Sequence, residues 1–393
     1  MINYLHQNAR IMSVVIKSLH IAVFALFLNS ACATIHQPKQ MNATIEGVGF
    51  WDKPRRGANF FAGPLIPEWL TEARRVGIGW VRLTTANWPA AERDHLIGSA
   101  DKYNGIPAAD MDALVAQLDL AHAHKMPVVL TMLSLPGARW RQHNDDVNDP
   151  RLWTDPQFQD QTDQFFKALI TRIGNHPALV AINPLNEPRL LKSNHINLFN
   201  NRVVFAIREI DPDLPIILDI GTDAEPETIT HLQPIDDAHV IYAVHFYQPW
   251  DFITWRVNRG AYTYPGQDSR GIVINPAFIR DAFEPILQWQ RTHKISNNRI
   301  VLAEFGIDRR IGGAAQYLAD VVCVAQNQGW HWAFYAFRDW QAMDYELGSE
   351  PPPLGYWDAL ERGESPELAR RQNPMFDTLE AALRGEFECP KNP

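Results

Sequence analysis

Leu179-Val-Ala-Ile-Asn-Pro-Leu-Asn-Glu-Pro188 decides how the rest of the chain is read. Residues 179–183 form a short, mostly apolar run with no polar–apolar alternation. Such a run reads as a strand covered on both faces, the kind found in parallel sheets. Pro184 closes it, because proline has no backbone N–H to continue a ladder, and the carboxylate of Glu187 follows just beyond. A second run of the same make, Ile300-Val-Leu-Ala-Glu-Phe-Gly306, carries Glu304 at its C-terminal end. In parallel α/β proteins, the C-terminal tips of strands are where sites are built.

Outward from these two runs, strand-like and helix-like segments alternate. Six further strands are expected at 57–60, 80–84, 127–132, 215–220, 240–246 and 332–337, making eight with 179–183 and 300–303. Helices fit between them. Residues 67–76 open on a proline and end at Gly77. Met111, Leu114, Val115, Leu118 and Ala121 lie at helical spacing in 111–124. Asp155-Pro156 caps a helix carrying Phe165, Phe166, Leu169, Ile170 and Ile173, closed by Gly174. Further helices are expected at 197–210, 276–293, 313–328 and 374–383, with a less clear segment near 226–231. Eight alternations imply an α/β fold, a (β/α)8 barrel in a single domain over residues 46–390. Long segments after strands three, six and eight (133–155, 247–275 and 338–372) then lie over the face that carries the strand tips, where long loops are usually functional.

Composition agrees with a globular protein. The 393 residues are 46% hydrophobic and 21% charged, with a formal net charge of −9. No Lys/Arg-rich run occurs, so nucleic acid is not an expected partner. Thirteen tryptophans are many; most serve packing, but their faces also stack on sugar rings. Only Cys32, Cys323 and Cys389 occur, which is neither a disulfide framework nor a zinc spacing. Cys323 lies in a helical pattern and reads as a buried thiol; a Cys323–Cys389 bridge in an exported protein is the alternative.

Residues 1–33 read as an export signal. Arg10 and Lys17 precede the apolar stretch 21–28, and small residues follow at Ser30, Ala31, Cys32 and Ala33. The stretch is too short to span a bilayer. Ala31-Cys-Ala33 suits ordinary cleavage, whereas Asn29-Ser-Ala-Cys32 resembles a lipoprotein box with Leu28 one place early, which would anchor Cys32 to lipid. A polar linker to about residue 45 follows. The mature protein is expected as an exported monomer: periplasmic, secreted, or an outer-membrane lipoprotein of a bacterium.

Two carboxylates converging in one cleft are the minimal equipment for cutting a glycosidic bond. The residues around them carry a resemblance. Val81-Arg-Leu83, Asn186-Glu187-Pro188, His245-Phe-Tyr247 and Glu304-Phe-Gly306, in that order on strands two, four, six and seven, resemble glycoside hydrolase family 5, the cellulase family. Arg56-Gly-Ala-Asn-Phe-Phe61 is similar to that family's first strand, and the likeness covers about residues 46–345. It implies a retaining glycosidase without metal or cofactor, acting on a β-linked glycan. Glu187 would be the acid/base and Glu304 the nucleophile, with Arg82 and Tyr247 holding Glu304. Asn186 would bond the sugar 2-hydroxyl and His245 would orient Glu187. Asn59, Trp140, Tyr335, Phe337 and Trp340 are candidate sugar contacts.

Two departures stand out. Leu133 occupies the position of a usual histidine at the end of strand three. Tyr335 or Phe337, with Trp340 slightly later, stands where the family usually has a tryptophan after strand eight. Both changes point to a divergent branch. An exo-acting β-1,3-glucanase, a β-mannanase, or a non-catalytic carbohydrate-binding barrel are the alternatives. Arg139-Trp-Arg-Gln-His143 reads equally as a sugar subsite or as a loop–barrel ion-pair cluster. His122 and His124 lie two apart on a helix and read as exposed.

Overall fold

The computed structural model describes residues 49–390 apart from 363 and 365–367. The export segment, its linker and Cys32 lie outside the described residues. Eight parallel strands are present: β1 Arg56–Phe60, β2 Val81–Thr84, β3 Val128–Thr131, β4 Leu179–Asn183, β5 Ile216–Asp219, β6 Val240–Phe246, β7 Ile300–Phe305 and β8 His331–Phe334. They close into a barrel in the order β1-β8-β7-β6-β5-β4-β3-β2. Four strands differ from expectation at their C-terminal ends: β7 runs on through Glu304 to Phe305, β8 stops at Phe334, and β3 and β5 each stop one residue early.

Strand residues point alternately inward and outward, and the two sets differ in chemistry. Leu83, Leu130, Ile182, Leu218, Val244 and Leu302 belong to the large apolar layer between strands and helices. Val129, Ala181, Ile217, Ala243, Val301 and Ala333 fill the lower barrel with Trp51 and Trp80. Trp51 donates its indole N–H to Val180 O at 2.9 Å. Above this apolar floor come Asn59, Arg82, Thr131, Asn183, Asp219, His245 and Glu304, all buried. A polar layer this dry must bond within itself or to a ligand.

Helices pack outside: α1 Pro67–Arg75, α2 Ala108–Ala123, α3 Pro156–Ile173, α4 His195–Arg208, α5 Pro276–Ala282, α6 Glu284–His293, α7 Ala314–Gln328 and α8 Pro374–Arg384. Asp155 caps α3 by accepting from Gln157 N, and Asn373 caps α8 by accepting from Met375 N and Phe376 N. Expected as one helix, 276–293 breaks at Phe283, because Pro285 has no N–H to donate across the junction. Between β5 and β6 the only helical segment is the 3₁₀ turns at Thr222–Ala224 and Pro226–His231.

The loop after β6 holds two short helices, Trp250–Ile253 and Trp255–Asn258, and a hairpin pairing Gly266–Gln267 with Val273–Ile274. Backbone hydrogen bonds tie it to the loop after β7: Asp308 N to Ile253 O at 2.9 Å, and Tyr264 N to Gly312 O at 2.7 Å. Gly313 sits at this seam with φ +79°, where an added Cβ would lie 1.8 Å from Tyr264 O. The Arg309 side chain bonds Gln341 O and Gly348 O, joining the loops after β7 and β8. Cys323, on α7, is not a free thiol: it is bonded to Cys389 beyond α8, with the Cα atoms 5.2 Å apart. Helix spacing alone could not anticipate this, because the C-terminal segment folds back onto α7.

Candidate active site

Arg82 organises the polar layer. Wholly buried, it sends Nη1 to Glu304 Oε1 at 2.5 Å and Nη2 to Asn186 Oδ1 at 2.7 Å. Nε and Nη2 also reach Asn183 Oδ1 at 3.1 and 2.6 Å, and Nη1 reaches Asn59 Oδ1 at 3.2 Å. A guanidinium presents five N–H donors in a rigid fork, so these bonds set four side chains from β1, β4, the turn after β4, and β7 relative to one another. Glu304 takes a second donor on its other oxygen, the Tyr247 hydroxyl at 2.9 Å. Burial, then the charge of Glu304, holds the Tyr247 phenol well above its ordinary range, so it stays a donor.

Glu187 is reached by a different route. After β4 ends, Asn186 N donates to Met132 O at 2.8 Å, and Glu187 N donates to Asp219 Oδ2 at 2.8 Å. The turn between them places Glu187 at φ +44°, a left-handed conformation uncommon outside glycine. Its Oε1 lies 3.0 Å from His245 Nδ1. Burial raises the Glu187 pKa above the usual carboxyl range, and the charges of Glu304 and Asp223 push the same way against the bond from His245. Burial works against a charged His245, but Glu304, Asp219 and Glu187 outweigh it and raise the imidazole's pKa.

Glu187, His245 and Glu304 present one ligand atom each within 4.8 Å of one another. Three such donors could hold a metal ion. The Arg82 guanidinium already supplies the positive charge against Glu304, however, and a second cation beside it would be repelled. The arrangement suits a pair of carboxyl groups with unequal environments: one bonded to a cation, the other desolvated and pushed toward its protonated form.

Six of the expected site residues therefore meet: Arg82, Asn186, Glu187, His245, Tyr247 and Glu304. Tyr335 joins them beyond β8; its ring stands edge-on to Phe61 at 5.6 Å, and its hydroxyl feels the charges of Glu304 and Glu187. Two expected sugar contacts are corrected. Asn59 is wholly buried beneath Arg82 and gives its amide to Ala303 O at 2.8 Å, so it is a strut with no face for a ligand. Phe337 is buried behind the barrel against Trp69 and Phe376. β8 ends at Phe334, so the strand's alternation, which would put residues two apart on one face, no longer governs these positions, and Phe337 packs among the outer apolar groups. Trp140 and Trp340 are half-buried in the loops after β3 and β8. Arg139 forms a forked pair with Asp94, at 2.8 Å for Nε–Oδ2, so the ion-pair reading of that stretch holds for Arg139. His122 is exposed as expected, whereas His124 is half-buried.

Asp219 is the residue that sequence reasoning missed. It accepts from Glu187 N and Asn183 Nδ2, and it lies 3.7 Å from His245 Nε2, which has no hydrogen-bond partner among the described residues. Its signal was present: Ile216-Ile-Leu-Asp219 is an apolar run ending in a carboxylate, as in the two runs that carry the glutamates.

Comparison with known proteins places this geometry among relatives. The family model for Cellulase (glycosyl hydrolase family 5) matches residues 51–341. Endoglucanase C of Acetivibrio thermocellus is 24% identical over 257 residues, covering 59% of this chain and 71% of the relative. Endoglucanase C307 of Clostridium sp. (strain F1) is 25% identical over the same length and coverage. Among solved structures, endoglucanase Cel5A from the hyperthermophilic Thermotoga maritima superposes with TM-score 0.63 at 16% identity, over 85% of this chain and 99% of that one. At that identity the structural likeness speaks for the fold alone.

Proposed function

This chain belongs to the cellulase family, glycosyl hydrolase family 5, and is a glycosidase; we propose that it cleaves a β-linked glycan by a retaining double displacement, with Glu304 as nucleophile and Glu187 as acid and base. One observation carries the reading: oxygens of the two carboxyl groups approach within 4.8 Å. Retaining pairs stand about 5–5.5 Å apart, whereas inverting pairs need about 6.5–9.5 Å to admit a water between them.

In the first step a lone pair on Glu304 attacks the anomeric carbon, and the bond to the leaving oxygen breaks as that oxygen takes the Glu187 proton. Arg82 and Tyr247 fix the attacking carboxylate and limit its motion. Once Glu304 is esterified its charge is gone, so Glu187 loses one of the influences raising its pKa and can accept a proton. Water then gives a proton to Glu187 and its oxygen to the sugar, and Glu304 leaves. Asn186 commits its side-chain oxygen to Arg82, which leaves the amide N–H groups to donate to the sugar 2-hydroxyl. Tyr335 stands near the same pair, where a tryptophan is usual in the family.

Relatives named endoglucanases support a cellulose-type β-glucan as substrate. Export to an oxidising compartment is supported by the signal-like N-terminus and by the Cys323–Cys389 bridge. The mechanism is tested with Glu304→Gly and an activated aryl β-glycoside. Turnover should fall by about 10³-fold or more, the scale of losing a nucleophile, and added azide should restore it as a glycosyl azide of inverted configuration. An Glu304→Gly enzyme that azide leaves dead, or that retains wild-type turnover, would remove Glu304 from the role.

A further inference from the structure

Across the seam of the loops after β6 and β8, the Arg256 guanidinium lies between two tryptophans. Its Cζ is 5.6 Å from the Trp250 ring centroid and 5.7 Å from that of Trp340. The Trp250 ring meets Tyr247 edge-on at 6.2 Å, and the Tyr247 hydroxyl bonds Glu304. The cluster therefore belongs to the rim of the cleft, one aromatic pair away from the residue proposed to attack the sugar. Arg256 is exposed, and among the described residues its side chain has no ion pair and no hydrogen bond.

Two of its neighbours differ in this respect, while Arg259, 5.5 Å from the Trp255 ring centroid, likewise has no ion pair and no side-chain hydrogen bond among the described residues. Arg270 pairs with Asp268 at 2.6 Å, and Arg310 pairs with Asp308. Asp251, the remaining acid on this loop, lies 3.9 Å from Arg270. The local carboxylates are thus taken up by other arginines, and Arg256 keeps its charge uncompensated. The two rings, with Arg256 Cζ over each, attract that charge. Its N–H donors have no partner among the described residues, and a planar carboxylate fits such a fork with two parallel bonds.

We propose that Arg256, held between Trp250 and Trp340, is a subsite for the carboxylate of a uronic-acid residue, so that the preferred substrate is an acidic β-glycan. This rests on the glycosidase reading of the Glu187–Glu304 pair and adds the chemical class of sugar at one subsite.

The test uses a uronate-bearing β-glycan oligosaccharide and the same oligosaccharide with its carboxyl reduced to the alcohol. The ratio of kcat/KM, acidic over neutral, is measured for the wild-type enzyme and Arg256→Gln. A wild-type ratio of about ten or more is expected, the effect of one charge-assisted pair. It should fall toward one in Arg256→Gln and should shrink in high salt for the wild type. A wild-type ratio near one, or a ratio that Arg256→Gln leaves unmoved, overturns the proposal while the hydrolase reading stands. Absence of turnover on either oligosaccharide, and on neutral β-glucans, would take down the proposal and its premise together.

Discussion

Glu187 is held by its neighbours more than by its own strand. A non-glycine residue at φ +44° costs about 1–2 kcal/mol, and the turn persists because Met132 O and the Asp219 carboxylate take the two backbone N–H groups beside it. Asp219 also faces His245, whose other nitrogen bonds Glu187. It is thus a positioning residue with a chemical consequence. Its negative charge favours a protonated His245, and a protonated His245 lowers the Glu187 pKa. Glu187 must carry a proton to assist the leaving group, so activity is lost as pH rises through its pKa. In Asp219→Asn that pKa moves up, so the alkaline limb of the kcat/KM profile should shift to higher pH. Loosening of the turn should lower kcat about tenfold or more with little change in KM. Reduced activity with an unmoved alkaline limb would leave Asp219 a purely structural role.

Among the elements, the recurring unit is an apolar strand that delivers a carboxylate to one end of the barrel: Glu187 just beyond β4, Asp219 closing β5, and Glu304 within β7. What separates their environments is what the adjacent strands offer: Arg82 and Tyr247 against Glu304, and desolvation with an imidazole against Glu187. Loops then decide which side chains line the mouth, and the seam where the loop after β6 crosses the start of α7 is tight. Gly313→Ala adds a Cβ in a left-handed position and against the Tyr264 carbonyl. A loss of about 2 kcal/mol or more is expected from strain plus clash, read as a lower urea or thermal midpoint. A midpoint equal to that of the wild type would show that the seam yields without cost.

At the scale of the whole molecule, the Cys323–Cys389 bridge closes a segment with sequence separation 66 and ties the chain beyond α8 to α7. Cross-links of this kind stabilise by about 2–4 kcal/mol, chiefly by restricting the unfolded chain. Protein isolated without reductant should leave both cysteines unreactive to alkylation after unfolding, and Cys323→Ser should lower the thermal midpoint. Free thiols at both positions would remove the bridge and its support for export. Legibility in the sequence follows physical range. Eight strands, their parallel arrangement, and the meeting of Arg82, Glu187, His245, Tyr247 and Glu304 could be read along the chain, because apolar runs and the residue types at their ends are local properties, and family 5 sequence motifs mark the same positions. Asn59 beneath Arg82, Phe337 behind the barrel and the bond from Glu187 N to Asp219 came only with tertiary structure, which also chose the Cys323–Cys389 bridge over a free Cys323 thiol. Each depends on which side of a closing barrel a residue faces, or on which distant segment folds against it, and neither is set until the strands and loops have packed.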